Sequence, residues 1–291
     1  MTALGAWVLA ARPRTLPAAV APVLVGTAVA ARAGGARPGI ALVALGAALC
    51  LQIGTNLVND WGDHRRGADG PDRLGPTRVT QAGLVPSGRV LAAGLAAFAL
   101  AAVLGGILVA QAGWPVVWIG LASIAAGIAY TAGPFPLAYH GLGELFVFTF
   151  FGPVAVCGTE LVQTGGVSAA GALASLPVGC LATAILLVNN VRDVDGDRRA
   201  AKRTLVVRLG RVAGQRAYAT AIALAFVAAV ALAAYLRAPA TLLALLAAPL
   251  AQAPLRAVLS AADGPSLNAA LAATARLHLA FGALLALGLA W

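Results

Sequence analysis

Long apolar runs dominate this chain and restrict it to one kind of fold. A helix needs about 20 mostly apolar residues to cross a bilayer. Nine runs approach that length, at residues 15–31, 39–58, 90–111, 115–131, 142–163, 168–190, 215–236, 239–258 and 272–291. The sequence therefore predicts an all-α polytopic membrane protein, with nine transmembrane helices in a single domain over residues 1–291.

The composition excludes most other classes of protein. Hydrophobic residues make up 60% of the 291-residue chain and charged residues 10%, and the mean hydropathy is +0.88. A typical soluble domain has roughly 25% charged residues. A soluble fold would leave too much of this apolar surface in water, which excludes a soluble enzyme, a disordered protein and a disulfide scaffold.

The positive charges predict the orientation in the membrane. The net charge is +10, and all but three of the 20 Lys and Arg residues fall on one side of the predicted spans. The exceptions are Arg32, Arg37 and Arg237. Because basic residues stay in the cytoplasm, we predict a cytoplasmic N-terminus, an external C-terminus and location in the cell membrane. The basic segments meet anionic lipid in this arrangement, and no nucleic-acid partner is predicted.

Seven of the ten acidic residues lie in two of the cytoplasmic segments, each at the end of an apolar run. The first segment begins NLVNDWGDHRRGADGPDRLGPTRVTQ at Asn56, and the second begins NNVRDVDGDRRAAKRTL at Asn189. The acids are Asp60, Asp63, Asp69, Asp72, Asp193, Asp195 and Asp197. Continued helix would place Asn56, Asp60 and Asp63 on one face, and Asn190, Asp193 and Asp197 on another.

Stacked carboxylates repel unless a positive group lies between them. Hard divalent cations prefer oxygen ligands, and Mg²⁺ is commonly held by a few carboxylates together with substrate phosphates. Basic residues lie next to both sets of acids: Arg65, Arg66, Arg73, Arg78, Arg198, Arg199, Lys202 and Arg203. The pattern predicts a diphosphate site in which cations stabilise a leaving group, with Mn²⁺ as an alternative to Mg²⁺.

Two other interpretations of these segments agree less well with the sequence. The charges of a single segment are equally consistent with a solvated interfacial loop, but two matched segments favour a functional site. A cation-coupled transporter would place polar groups near the bilayer midplane. Here the ionisable residues gather at one surface instead, which disfavours transport.

At these motifs the chain resembles the UbiA superfamily of intramembrane prenyltransferases. The resemblance extends over nearly the whole chain and includes ARPRTLPAAVAPVLVGTA from Ala11 and YTAGPFPLAYHGLGE from Tyr130. It implies nine helices around a central cavity, capped on the cytoplasmic side by the two Asp-rich loops. It also implies that Mg²⁺ bridges carboxylates to a polyprenyl diphosphate.

The resemblance assigns roles residue by residue. It implies metal ligands at Asp60, Asp63, Asp69, Asp193 and Asp197, and we count all of these except Asp69, together with Lys202, as catalytic. We assign diphosphate binding to Asn56, Arg65, Arg66, Arg78, Lys202 and Arg203. We place Tyr130, Asn190, Arg192 and Gln81 at the acceptor or along the cavity.

The acceptor is predicted from a missing charge. The 4-hydroxybenzoate branch of the superfamily usually carries a lysine shortly after the tyrosine that ends helix 4, whereas residues 131–144 contain neither Lys nor Arg. The resemblance therefore favours the naphthoate branch, which prenylates 1,4-dihydroxy-2-naphthoate with loss of CO₂ and gives demethylmenaquinone. Arg78 or Arg192 would supply the positive charge. The alternative acceptors are 4-hydroxybenzoate, haem and a glycerol phosphate lipid; chain length and oligomeric state stay open.

Overall fold

The computed structural model describes residues 2–68, 74–260 and 263–291, and helices account for the regular structure in these ranges. In chain order the α-helices are α1 (Ala3–Ala11), α2 (Pro17–Arg32), α3 (Pro38–Arg65), α4 (Ser87–Ala112), α5 (Trp114–Ala129), α6 (Gly143–Thr149), α7 (Ala155–Thr164), α8 (Ala169–Arg199), α9 (Leu205–Leu209), α10 (Arg211–Leu236), α11 (Ala248–Leu259) and α12 (Gly264–Ala290). The predicted all-α fold is confirmed.

The apolar runs coincide with these helices. In the described ranges, seven helical stretches are long and apolar enough to cross a membrane, and the pair α1 and α2, bent by 51°, is an eighth candidate. The predicted fourth span corresponds to α5, which has 16 residues and falls short of the usual spanning length. The protein is therefore a multi-pass membrane protein, and the count of nine stays a prediction.

Local sequence explains where the helices begin and bend. Proline occupies the first turn of α2, α3 and α5, where its missing N–H would have no helical partner. The side chain of Ser168 accepts a hydrogen bond from the Gly171 N–H and so caps α8. A π-helical turn at Phe150–Val154 contains Pro153 and joins α6 to α7 in one span.

Small residues allow the helices to pack closely. A Cβ atom on Gly282 of α12 would lie 2.7 Å from the Cβ of Ala21 on α2, and one on Gly54 of α3 would lie 2.7 Å from the ring of Phe98 on α4. Helix association within a bilayer relies on such close van der Waals contact. The helix α8 is the most buried of the seven long spans, and its core residues pack with those of α2, α10 and α12.

One feature of the fold differs from the sequence expectations and another agrees with them. The short helix α1 precedes the first predicted span, and the chain bends by 51° between α1 and α2, next to Arg12, which has φ 53°. The helices α3 and α8 continue past their apolar runs to Arg65 and Arg199, so the acidic motifs extend the spans as helix. This continuation confirms the spacing on which the predicted site depends.

Candidate active site

The side chain of Asp63 is the centre of the charged cluster at the end of α3. Its Oδ2 accepts a hydrogen bond from Arg78 at 2.9 Å and lies 3.6 Å from Lys202 Nζ, while its Oδ1 accepts a 3.0 Å bond from the Tyr139 hydroxyl. The carboxylate is only 3% exposed. Because Lys202 follows α8, this cluster joins the two acidic motifs, as the sequence predicted.

Tyr139 supports the same carboxylate. Burial raises the pKa of the Tyr139 phenol above its usual range, and the negative charge of Asp63 raises it further. The phenol therefore keeps its proton at neutral pH and remains a hydrogen-bond donor to Asp63. Asp197 also acts electrostatically on this phenol, which places the second motif beside the first.

Asp60 faces a loop and is 1% exposed. Its Oδ2 accepts the N–H of Val79 at 3.2 Å, and its Oδ1 accepts the N–H of Thr80 at 3.3 Å. These two bonds fix the segment that carries Arg78, the partner of Asp63. Asp60 therefore positions a cation of the site through the backbone.

Asn56 holds the N-terminal segment against α3. Its Nδ2 donates to the Ala11 carbonyl oxygen and to the Thr15 hydroxyl, both at 3.0 Å. Arg12, which lies between these residues, donates to the Asn56 carbonyl oxygen at 3.5 Å. The bend between α1 and α2 is thereby fixed beside the charged cluster.

The polar side chains of the second motif lie in two environments, the wall of the central cavity and a buried cluster around Arg192. Asn190 donates from Nδ2 to Oε1 of Glu144 at 2.9 Å, and both side chains line the central cavity. Arg192 is 1% exposed and donates to both carboxylate oxygens of Asp193, at 2.7 and 2.6 Å, and also to Asn268 and Asn189. Asp193 is thus neutralised by its own neighbour in the chain.

A cavity of about 550 Å³ extends from the charged cluster into the bundle. Its polar end includes Asp63, Arg78, Lys202 and Asn56, and its walls continue between α3, α4 and α5 to Val109 and Val116. Most of the wall is Ala, Gly and branched aliphatic side chains. A ligand with a charged head and a long apolar tail fits this distribution of polarity.

Several predicted site residues lie away from the cavity. Arg65 is exposed and stacks over the ring of Trp61, while Arg66 donates to the Thr131 carbonyl oxygen and lies over the ring of Tyr139. Arg203 is exposed, and Gln81 lies in a turn after α3. In the described structure none of these four residues lines the cavity.

The prediction that Arg192 provides positive charge to the acceptor needs correction. Its guanidinium is occupied by Asp193, Asn189 and Asn268, and it does not belong to the described cavity wall. The physical reason is its position on α8: it faces α12, which carries Asn268. Arg78, the other residue proposed for this role, does line the cavity.

Sequence reasoning missed one cation of the site. Arg12 lines the cavity and acts electrostatically on the phenol of Tyr130, which is itself a wall residue. Its position before Pro13 made it resemble an ordinary topogenic charge at the membrane edge. The available signal was the break in the helix that Pro13 and Pro17 impose, which turns Arg12 toward α3.

The acids fit a cation shared with a ligand better than a cage of protein ligands. Among the described residues, no group of three or more His, Cys, Asp or Glu side chains is arranged to hold a metal ion. Asp63 lines the cavity, and Asp197 lies close to it. One or two carboxylates completed by phosphate oxygens is the usual arrangement for Mg²⁺. Asp69, also predicted as a ligand, lies outside the described residues.

Fold and site together define a class of protein. It is a multi-pass helical membrane protein with a charged pocket of acids and bases above a deep apolar cavity. The model of the UbiA prenyltransferase family matches residues 19–282, and the chain belongs to this family.

Known proteins resemble the chain in sequence and in fold. A 1,4-dihydroxy-2-naphthoate octaprenyltransferase of Mycobacterium tuberculosis is 41% identical over 251 residues, which cover 86% of this chain and 85% of that protein. The apo structure of a UbiA homolog from Aeropyrum pernix K1 has a TM-score of 0.69 at 16% identity and covers 92% and 96% of the two chains. A UbiA homolog from Archaeoglobus fulgidus bound to DMAPP and Mg²⁺ has a TM-score of 0.61 at 12% identity, with 96% and 98% covered.

Proposed function

We propose that this protein transfers a polyprenyl group from polyprenyl diphosphate to 1,4-dihydroxy-2-naphthoate, with release of diphosphate and CO₂. The product is demethylmenaquinol, the reduced form of demethylmenaquinone, on the route to menaquinone. The observation that carries the proposal is the Asp63 cluster at the head of a deep apolar cavity, in a chain 41% identical to a naphthoate octaprenyltransferase.

The charged cluster binds the diphosphate of the donor. Arg78 and Lys202 both line the cavity beside Asp63 and present positive charge where an anionic head group would enter. Cationic groups that are fixed in place before the reaction stabilise the charge that develops on a departing diphosphate. Asp63 and Asp197 would hold a Mg²⁺ ion together with the phosphate oxygens, and that ion would add Lewis-acid stabilisation of the leaving group.

The apolar wall accommodates the prenyl tail and keeps water from the reacting carbon. When the allylic C–O bond of the donor breaks, the carbon becomes strongly electrophilic and reacts with whatever nucleophile is nearest. Small and aliphatic side chains, including Ala47, Gly105 and Val109, line the space behind the cluster. Exclusion of water from such a site favours attack by the aromatic acceptor over hydrolysis.

The acceptor carboxylate is bound by cations from outside the loop that follows α5. Residues 131–144 contain neither Lys nor Arg. Arg12 and Arg78 are the arginines of the described cavity wall, and they approach it from the N-terminal segment and from the loop after α3. The site lies on the cytoplasmic side of the cell membrane, because the basic residues concentrate on the side that carries the site. The N-terminus is then inside the cell and the C-terminus outside.

An acceptor assay tests this function. Membranes that contain the protein are given a radiolabelled polyprenyl diphosphate and Mg²⁺, with dihydroxynaphthoate or 4-hydroxybenzoate in parallel. We expect lipid-soluble product from the naphthoate alone. EDTA should abolish it, and added Mg²⁺ should restore it. Repeating the restoration with Mn²⁺ compares the two ions.

Membranes from the same cells without the protein are the control for this assay. Product from the benzoate alone would contradict the naphthoate acceptor and leave prenyl transfer intact. Product that persists in EDTA would contradict the role of a divalent cation. Absence of product with both acceptors would direct the assay to haem and glycerol phosphate lipids.

A further inference from the structure

Glu144 is a buried acid on the cavity wall that the donor site does not use. It is the second residue of α6 and is 9% exposed. Asn190 of α8 donates to its Oε1 at 2.9 Å, so the carboxyl group is held by a neighbour 46 residues away in the chain. Both residues line the cavity together with Tyr130.

The second carboxyl oxygen of Glu144 lacks a hydrogen-bond partner. Oε2 is buried, and no described group donates to it. A buried oxygen left without a donor costs about 1–3 kcal/mol. Glu144 lines the cavity, so a ligand bound there is the group that can reach this oxygen. A ligand hydroxyl is the kind of donor that would satisfy it.

The surroundings of Glu144 match an aromatic acid that carries a hydroxyl group. A Cβ atom on Gly143 would lie 2.9 Å from the Tyr130 hydroxyl, so this phenol packs against the backbone beside Glu144. Glu144 and Arg12 both act electrostatically on Tyr130. The pocket around Tyr130 thus offers the aromatic ring of Tyr130, a hydrogen-bond acceptor in Glu144 and a positive charge in Arg12 that can pair with a carboxylate.

We infer, on the basis of the proposed function, that Glu144 accepts the proton of the acceptor hydroxyl next to the carbon that is prenylated. The electron pair of that O–H bond moves into the ring as the ring carbon bonds to the allylic carbon, and the diphosphate leaves with the pair of the broken C–O bond. The carboxylate then departs as CO₂, its bonding pair restores the aromatic ring, and Glu144 returns the proton to the oxygen.

Glu144→Gln tests this role with little change of shape. The amide oxygen can still accept from Asn190, and the other position then carries an N–H₂ donor in place of an acceptor. We expect kcat for the naphthoate to fall by about 100-fold or more, in the range of general-base catalysis. The KM for the prenyl diphosphate should stay within about 2-fold, and Glu144→Asp should recover part of the rate.

Glu160 is the matched control. It is also a buried acid with one unpartnered oxygen, but it lies on α7 outside the described cavity wall, and its Oε1 accepts the Ser168 N–H. Glu160→Gln is expected to keep naphthoate turnover within about 2-fold of the parent protein. A loss equal to that of Glu144→Gln would assign both acids to folding and overturn the inference.

A binding measurement separates this inference from the proposed function. The purified protein is titrated with 1-hydroxy-2-naphthoate and with 2-naphthoate in the absence of prenyl diphosphate. The parent should prefer the hydroxylated probe by about 5-fold or more, which is the effect of one hydrogen bond, and Glu144→Gln should lose that preference. An unchanged preference would overturn the inference. If the parent makes no naphthoate product, the proposed function fails, and the two probes still decide the role of Glu144.

Discussion

Replacing Asp63 with asparagine is expected to lower turnover by about 100-fold or more while the protein stays folded. The substitution keeps the shape of the side chain, and the Tyr139 hydroxyl can accept from the new amide. It removes the negative charge that Arg78 and Lys202 share. Loss of one fixed electrostatic group from an active site costs about 10²–10³ in rate. The measurement is naphthoate prenylation at saturating substrates.

Asp195→Asn is the matched control for Asp63→Asn. Asp195 belongs to the second acidic motif, but its side chain is 62% exposed and pairs with Arg198 and Arg211 at the surface. Such surface pairs contribute little, so turnover should stay within about 2-fold. If Asp63→Asn retained more than half of the parent activity, the assignment of Asp63 to the donor site would be wrong.

Replacing Asp60 with asparagine is expected to release the loop that carries Arg78. Asparagine offers one acceptor oxygen where the carboxylate offers two, and its N–H₂ group would face the N–H of Val79 or Thr80. An unsatisfied buried donor costs about 1–3 kcal/mol. We expect turnover to fall at least about 10-fold, with a raised KM for the prenyl diphosphate. Amide hydrogen exchange at Val79 and Thr80 should become faster by a similar factor.

The exchange measurement decides between two roles of Asp60. An anchor for the loop predicts that loss of activity and faster exchange occur together. Loss of activity with unchanged exchange at Val79 and Thr80 would instead support the sequence prediction that Asp60 binds the metal directly. Asp195→Asn serves again as the control, because it lies on α8 and its described partners, Arg198 and Arg211, lie outside this loop.

Much of the architecture was predictable because it depends on local properties of the chain. Hydropathy along a run of about 20 residues decides whether a helix can cross a bilayer, and the predicted runs coincide with helices. Helical periodicity alone placed Asn56, Asp60 and Asp63 on one buried face of α3. The class of chemistry followed from residue type, since carboxylates beside arginines and lysines suit a cation and a diphosphate.

The distribution of roles within the site was not predictable in this way. Five arginines of the two motifs cannot be told apart by residue type. In the structure, however, Arg78 faces the cavity and Arg192 is buried against Asp193. The other three lie at the surface: Arg65, Arg66 and Arg203. The environment of Arg78 depends on how the loop after α3 returns to that helix. The two backbone bonds from Val79 and Thr80 to Asp60 provide that return.

By itself the sequence determined the membrane-spanning helices, their charge asymmetry and the position of an acidic motif at the end of two of them, since each follows from short-range patterns of hydropathy and charge. Only the tertiary structure decided that Arg12 joins the cavity and that Glu144 pairs with Asn190. Both depend on contacts between segments distant in the chain, whose free energy comes from packing and hydrogen bonding in the assembled bundle.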